Sequence, residues 1–131
     1  MRYKRPDNHN ARSMIDAAKR EIKYTLSLKL SEESASTIVR NIYEAFRMLG
    51  DALLVAKGTV STDHIMAINE LLKLNVNARR HLNAIDNLRR LRHNVNYYGY
   101  RPTLSEAKDA IDVANELFMP VVFAIEENLQ K

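Results

Sequence analysis

The sequence predicts an all-α fold, an up-and-down bundle of four or five helices, on the strength of three observations. The chain has 131 residues, which is one domain's worth and enough to bury a hydrophobic core without metal or disulfide cross-links. Apolar residues recur at helical spacing in five successive segments, and no segment alternates as a strand does. Three glycines and three prolines are too few for the many turns of a β-sandwich or barrel.

The composition excludes several classes of function. Because the chain has no cysteine, it has no disulfide, thiolate metal site or thiol nucleophile. Residues 1–6 are basic but lack a following apolar stretch, so no secretory signal is expected. The longest apolar run, residues 119–125, is too short to span a bilayer, and we expect a cytoplasmic protein with no membrane partner. The net charge of +4 permits an anionic partner without requiring one.

The first half of the chain is predicted to hold three helices after a flexible, basic arm at residues 1–9. A single helical domain is then expected over residues 10–131. The first helix should run over residues 10–30, with Asn10 as its N-cap. Ser31 is the expected N-cap of the second helix, and Lys57-Gly58 is typical of a helix C-terminus. The third helix is short and is expected to start near Ser61.

The last two helices have clearer boundaries. The fourth is predicted over residues 77–98, because Gly99 and Pro102 end the periodic pattern. The fifth begins at Thr103-Leu104-Ser105-Glu106, a capping box in which the two end side chains satisfy backbone amides. Five helices with apolar stripes and short connections are typical of an up-and-down bundle.

One segment, residues 77–101, holds six arginines and a single acid, Asp86. On a helical wheel Arg92 lies about 40° from Leu88, inside the apolar stripe of the fourth helix. An arginine in such a stripe is costly unless it is paired or partly hydrated. Two interpretations stay open at this point. Arg92 is a structural residue, which either extends its charged end to solvent or bridges a carboxylate of a neighbouring helix or subunit. Otherwise it is held rigidly to grip a phosphate or carboxylate.

The residues around Arg92 extend this candidate site. Asn96 and Arg89 lie at the margin of the apolar stripe, and Arg89 and His93 are one turn apart and able to share a phosphate. An aromatic cluster closes the helix, consisting of Tyr97, Tyr98 and Tyr100. Tyrosines at a helix end usually pack their rings, but basic residues interleaved with aromatics also suit stacking on bases. No metal-ligand spacing, phosphate loop or nucleophile elbow is present, so no metal or cofactor is expected.

Three stretches of the chain resemble motifs of one family. Residues 39–46 are similar to its second-helix motif, in which Tyr43 and Phe46 are three apart. Residues 57–64 resemble the turn between two of its helices. Residues 88–99 resemble its signature helix, and an acidic, alanine-rich last helix follows. Together these stretches, within residues 12–128, resemble the HEPN-domain family and in particular its small stand-alone prokaryotic proteins.

The resemblance implies a homodimer with the signature helix at the dimer cleft. Active members are metal-independent ribonucleases in which an arginine is followed, after four to six residues, by a histidine. There the arginine stabilises phosphate charge and the histidine serves as general acid or base. Other members partner a nucleotidyltransferase, often as toxin and antitoxin. Arg92 matches the motif arginine, but Tyr97 stands where the histidine is expected, and a phenol is a poor base at neutral pH.

The sequence therefore favours a non-catalytic or weakly catalytic homodimer that binds a nucleotide, RNA or a partner nucleotidyltransferase. The predicted binding residues are Arg89, Arg92, Asn96, Tyr97 and Tyr100. The alternative is a metal-independent ribonuclease, the toxin of a toxin–antitoxin pair. Its catalytic residues would be Arg92, His93 and Tyr97. A purely structural partner module is the third hypothesis.

Overall fold

The computed structural model describes residues 2–3, 5–60 and 62–129 of the chain. These residues form five helices, α1 (Asn8–Leu26), α2 (Ala35–Lys57), α3 (His64–Leu72), α4 (Asn83–Tyr98) and α5 (Leu104–Leu129). Two strands of two residues each, β1 (Arg2–Tyr3) and β2 (Thr59–Val60), pair antiparallel. The predicted helical bundle is confirmed. The strand pair was not predicted, because two residues are too few to show an alternating pattern.

The first helix begins and ends earlier than its periodicity predicts. Asp7, and not Asn10, is its N-cap, since the Asp7 carboxylate accepts a hydrogen bond of 2.9 Å from the Asn10 backbone N–H. At the other end the Ser27 hydroxyl donates to the Tyr24 carbonyl at 2.5 Å, and such a local bond competes with a further helical turn. Residues 1–9, predicted as an arm, include strand β1 and the first two residues of α1.

Two serines close the turn that leads into α2. Ser31, the predicted N-cap, accepts a hydrogen bond of 3.2 Å from the Ser34 N–H, and the Ser34 hydroxyl accepts one of 2.9 Å from the Ser31 N–H. This reciprocal pair resembles a capping box, but the regular helix begins only at Ala35. The predicted end is confirmed, because Gly58 adopts a left-handed φ of 76° and its N–H donates to the last turn.

The third helix is short, as predicted. Its predicted start, Ser61, lies outside the described residues, and Asp63 is the N-cap that accepts a hydrogen bond of 2.9 Å from the Met66 N–H. Ile68 is buried, whereas Ile65 of the same helix is exposed. Ala67 and Leu71 supply the rest of the buried face.

The fourth helix is shorter than predicted and is only partly covered. It starts at Asn83, where the His81 Nδ1 accepts a hydrogen bond of 3.1 Å from the Asn83 N–H. Arg80 lies in the loop before α4. It forms ion pairs with two carboxylates of α5, Asp109 and Glu116, and these hold the loop in place. The predicted stop at Gly99 is confirmed by its φ of 65°. Because only Ile85 and Leu88 of this helix are buried, most of its surface is uncovered in the single chain.

The core is organised around α2, which packs against each of the other four helices. Gly50 gives α3 its close approach, since a Cβ there would lie 2.2 Å from the Ala67 carbonyl oxygen. The fifth helix continues through Pro120 to cover the other side of α2. Within the part of the chain that the structure describes, no helix is both long and apolar enough to cross a bilayer.

The capping box predicted at the start of α5 is present and is extended by a tyrosine. The Thr103 Oγ1 accepts a hydrogen bond of 3.0 Å from the Glu106 N–H, and the Glu106 carboxylate accepts one of 2.9 Å from the Thr103 N–H. The Tyr100 hydroxyl donates to the same carboxylate at 2.6 Å. Burial raises the pKa of Glu106, but the hydrogen bonds from Tyr100 and Thr103 outweigh it and lower that pKa. The bond to Glu106 raises the pKa of Tyr100.

We expect Gly50→Ala to lower the free energy of unfolding by about 1–3 kcal/mol, because the added methyl group would overlap the α3 backbone. A loss of stability is informative, because Gly→Ala at an uncrowded position inside a helix raises stability by up to about 1 kcal/mol. Urea unfolding followed by circular dichroism measures the change. Gly99→Ala is the control: its φ is left-handed but no atom lies within 4 Å, so it should cost about 1 kcal/mol. A Gly50→Ala protein more stable than wild type would contradict the close packing of α2 on α3.

We expect Glu106 to make the stability of the chain depend on acidic pH. Because its folded pKa is lowered, the carboxylate stabilises the fold above its unfolded pKa, and this contribution is lost as pH falls through the folded value. Glu106→Gln keeps the capping geometry but has no charge to lose. The amount by which its free energy of unfolding falls below that of wild type should therefore shrink as pH falls from neutral to about 3. Urea midpoints across this range measure it. Glu127→Gln, an exposed residue of the same helix, is the control, and a pH-independent deficit for Glu106→Gln would contradict the prediction.

Candidate functional site

Arg92 is half-buried on the side of α4 that packs against α2. Its guanidinium carbon lies 5.4 Å from the centre of the Tyr43 ring. Tyr43 belongs to α2 and is only 1% exposed. A guanidinium over an aromatic ring is attracted by the negative face of that ring. The contact agrees with the wheel prediction that Arg92 faces the apolar side of its helix.

Asn96 holds the same guanidinium from one turn further along α4. With its side-chain oxygen turned towards Arg92, it accepts two hydrogen bonds of 3.1 Å, one from Nε and one from Nη2. Ion pairs are formed by several neighbouring arginines, yet none joins Arg92 to a carboxylate among the described residues. Within the described part of the chain, Arg92 is therefore not a structural arginine that bridges a carboxylate of a neighbouring helix.

Arg47 of α2, whose charge acts on Tyr43, is balanced by acids. Arg47 donates from Nε to Glu44 at 3.1 Å, and its Nη1 pairs with Asp51. The hydrogen bond to Glu44 is the main reason that the pKa of Arg47 is raised. Both edges of this guanidinium are occupied by carboxylates, so its charge is largely compensated.

The two arginines of α4 closest in sequence to Arg92 share one acid. Arg89 donates to Asp86 at 2.8 Å, and Arg90 lies 3.1 Å from the other oxygen of the same carboxylate. Arg89 is mostly buried, whereas Arg90 extends into solvent. Arg89 is therefore a paired residue beside the site rather than a fully solvated charge.

Tyr43 lies among these positive charges and remains neutral. Burial raises the pKa of its hydroxyl, and the charges of Arg92, Arg47 and Arg89 act in the opposite direction. Burial prevails, so the phenol keeps its proton at physiological pH. The guanidinium of Arg92, which forms no ion pair among the described residues, supplies a positive charge that favours anionic ligands. We call the exposed side of Arg92 and Asn96, with Tyr43 beneath it, the Arg92 face.

A second group of predicted residues lies on a different side of α4. The ring centroids of His93 and Tyr97 are 4.6 Å apart, and those of His93 and Tyr98 are 5.7 Å apart. Tyr97 is 68% and Tyr98 is 75% exposed. Five residues turn a helix by about 140°, so Tyr97 points away from Arg92. These three residues form what we call the aromatic patch, and the single site predicted from the sequence is divided between it and the Arg92 face.

Tyr100, the last predicted binding residue, lies beyond the helix. Its hydroxyl is bound to Glu106 at the start of α5, so it is joined to neither group of residues. Tyr43 was not predicted to be the partner of Arg92. The signal available was an aromatic residue in the stripe of α2, but the pairing of the two helices was needed to connect it with Arg92.

The described residues contain no group of three His, Asp or Glu side chains that could hold a metal ion. The Arg92 face offers a fixed positive charge with hydrogen-bond donors. Such a group binds oxyanions and stabilises negative charge.

Comparison with known proteins identifies the family. A family model described as the HEPN domain matches residues 7–127, which include α1 to α4 and all but the last two residues of α5. A search of curated proteins and a search of solved structures found no match. The family match agrees with the resemblance of the second-helix and signature-helix motifs. The chain belongs to the HEPN domain family.

Proposed function

We propose that this chain binds RNA or a nucleotide through a phosphate group at the Arg92 face. The observation that carries the proposal is the uncompensated charge of Arg92. It is held by the neutral Tyr43 ring and Asn96 amide, while Arg47 and Arg89 are paired with carboxylates. A guanidinium binds phosphate through parallel, charge-assisted hydrogen bonds. Membership in a family often related to nucleotides or RNA supports the same ligand class.

The proposed assembly is a homodimer that uses the uncovered side of α4. Only Ile85 and Leu88 of this helix are buried in the single chain, which leaves room for a second copy. The aromatic patch supplies exposed rings for stacking on bases or for contact with a protein partner. As in other family members, the proposed protein partner is a nucleotidyltransferase that acts as antitoxin.

The alternative function, a metal-independent ribonuclease, needs an acid–base group beside the phosphate that Arg92 holds. His93 follows Arg92 directly, and successive residues of a helix point about 100° apart. Its ring packs on Tyr97 and Tyr98 within the aromatic patch. Within one chain this arrangement supports binding more than cleavage.

We expect Arg92→Ala to weaken binding of a short, fluorescently labelled single-stranded RNA by about tenfold or more, since a hydrogen bond to a charged group contributes about 1.5–3 kcal/mol. Fluorescence anisotropy at low ionic strength measures the affinity. Arg90→Ala removes the same charge from the same helix, but on a side about 160° away, and should weaken binding by less than about threefold. Equal losses in the two variants would mean that RNA is attracted only by overall charge.

We expect the purified wild-type protein to leave the same RNA intact during prolonged incubation with a metal chelator. The physical reason is that Tyr97 replaces the motif histidine and is a poor base at neutral pH. Denaturing electrophoresis of the RNA provides the measurement. Cleavage that disappears in Arg92→Ala and in His93→Ala would reverse the order of the two functions and make the chain a ribonuclease.

A further inference from the structure

The groups that hold Arg92 in place carry no charge. Its guanidinium carbon lies over the Tyr43 ring, 5.4 Å from the ring centre, and its Nε and Nη2 donate to the Asn96 oxygen at 3.1 Å each. We propose that Tyr43 and Asn96 are positioning residues, which fix the guanidinium without neutralising it and leave its Nη1–Nη2 edge to a phosphate oxyanion. This inference rests on the proposed function, because it specifies how the same arginine meets its ligand.

The edge left for the ligand follows from the shape of the guanidinium. Its five N–H groups form a planar fork with one edge along Nε and Nη2 and another along Nη1 and Nη2. Asn96 occupies the first edge, and the second keeps two parallel N–H donors. Two parallel donors match the two free oxygens of a phosphodiester. The ligand class is therefore a tetrahedral oxyanion bound end-on, as in an RNA backbone. Asn96, predicted to bind the ligand, instead orients the residue that does.

Arg47 shows the effect of holding a guanidinium with charged side chains. It is held by carboxylates on both edges, Glu44 through Nε and Nη2 and Asp51 through Nη1. That arrangement fixes the side chain but cancels its charge and occupies its donors. At Arg92 an amide oxygen takes the place of a carboxylate, and the neighbouring phenol is kept neutral by its burial. The guanidinium therefore combines a fixed orientation with a full positive charge.

The first test gives residue 96 a negative charge with little change in the shape of its side chain. Asn96→Asp accepts the same two hydrogen bonds but neutralises Arg92, so RNA binding should weaken about tenfold or more while the melting temperature rises or stays level. Asn94→Asp is the matched control, with the same change on the same helix about 160° away. It should weaken binding by less than about threefold. Equal losses in the two variants, or full binding by Asn96→Asp, would overturn the role of Asn96.

The second test removes the aromatic ring that lies beneath the Arg92 guanidinium. Tyr43→Phe keeps the ring and should bind RNA within about twofold of wild type, whereas Tyr43→Leu should weaken binding by about three- to tenfold. Phe46→Leu is the matched control, because Phe46 is also fully buried in α2 but packs edge-on against Phe118. It should lose stability comparably and keep its affinity. Affinity lost to the same extent in Phe46→Leu and Tyr43→Leu would reduce Tyr43 to a general core residue and overturn its role.

A third measurement needs no ligand and separates this inference from the proposed function. In NMR spectra of the arginine Nε–H groups, the Arg92 signal, identified by its loss in Arg92→Ala, should move in Tyr43→Leu and in Asn96→Ala but not in Phe46→Leu. An unmoved signal would overturn the positioning roles even if RNA binds. If the wild type binds no RNA at low ionic strength, the proposed function and the ligand edge both fail, while the NMR result still decides the positioning.

Discussion

The structure depends on covering α2 along its whole length. Its buried residues extend from Ala35 to Leu54, and a helix that is apolar on most sides has to be enclosed by neighbours. α1, α3 and α5 enclose it with apolar side chains, and α3 approaches closely at Gly50. α4 contributes less apolar surface, and over Tyr43 it places the guanidinium of Arg92. The packing that encloses α2 thus also fixes the one charged group on which the proposed function depends.

Helix boundaries that depend only on residues nearby in the chain could be predicted from the sequence. The ends of α2 and α4 follow from glycines at positive φ, and the start of α5 follows from the Thr103–Glu106 capping box. The starts of α1 and α4 could not be predicted equally well. Several polar residues near each start can act as a cap, and the loop before α4 is held by ion pairs from Arg80 to α5. That constraint involves residues 29 and 36 positions further along the chain, which no local pattern contains.

The same distinction applies to the candidate site. The position of Arg92 on the apolar side of α4 depends only on helix geometry and was predictable. Its contact with Tyr43 depends on how α4 is rotated and shifted against α2, which a single sequence does not contain. Residues close in sequence were grouped into one site, but helix geometry separates Tyr97 from Arg92 by about 140°. The HEPN motif indicates α4 as the helix of the proposed site, while the division of its residues into two surfaces required the three-dimensional structure.

The partners of Arg92 explain why its charge is available. A half-buried guanidinium loses part of its hydration, and this cost has to be offset by other interactions. Carboxylates would offset it most strongly, as they do for Arg47, but the result would be a closed ion pair with no donors left for a ligand. A ring face and an amide oxygen offset less of the cost and leave the charge in place. The site is therefore less stable than an ion pair in the same position, and this lower stability is the physical condition for binding an anion there.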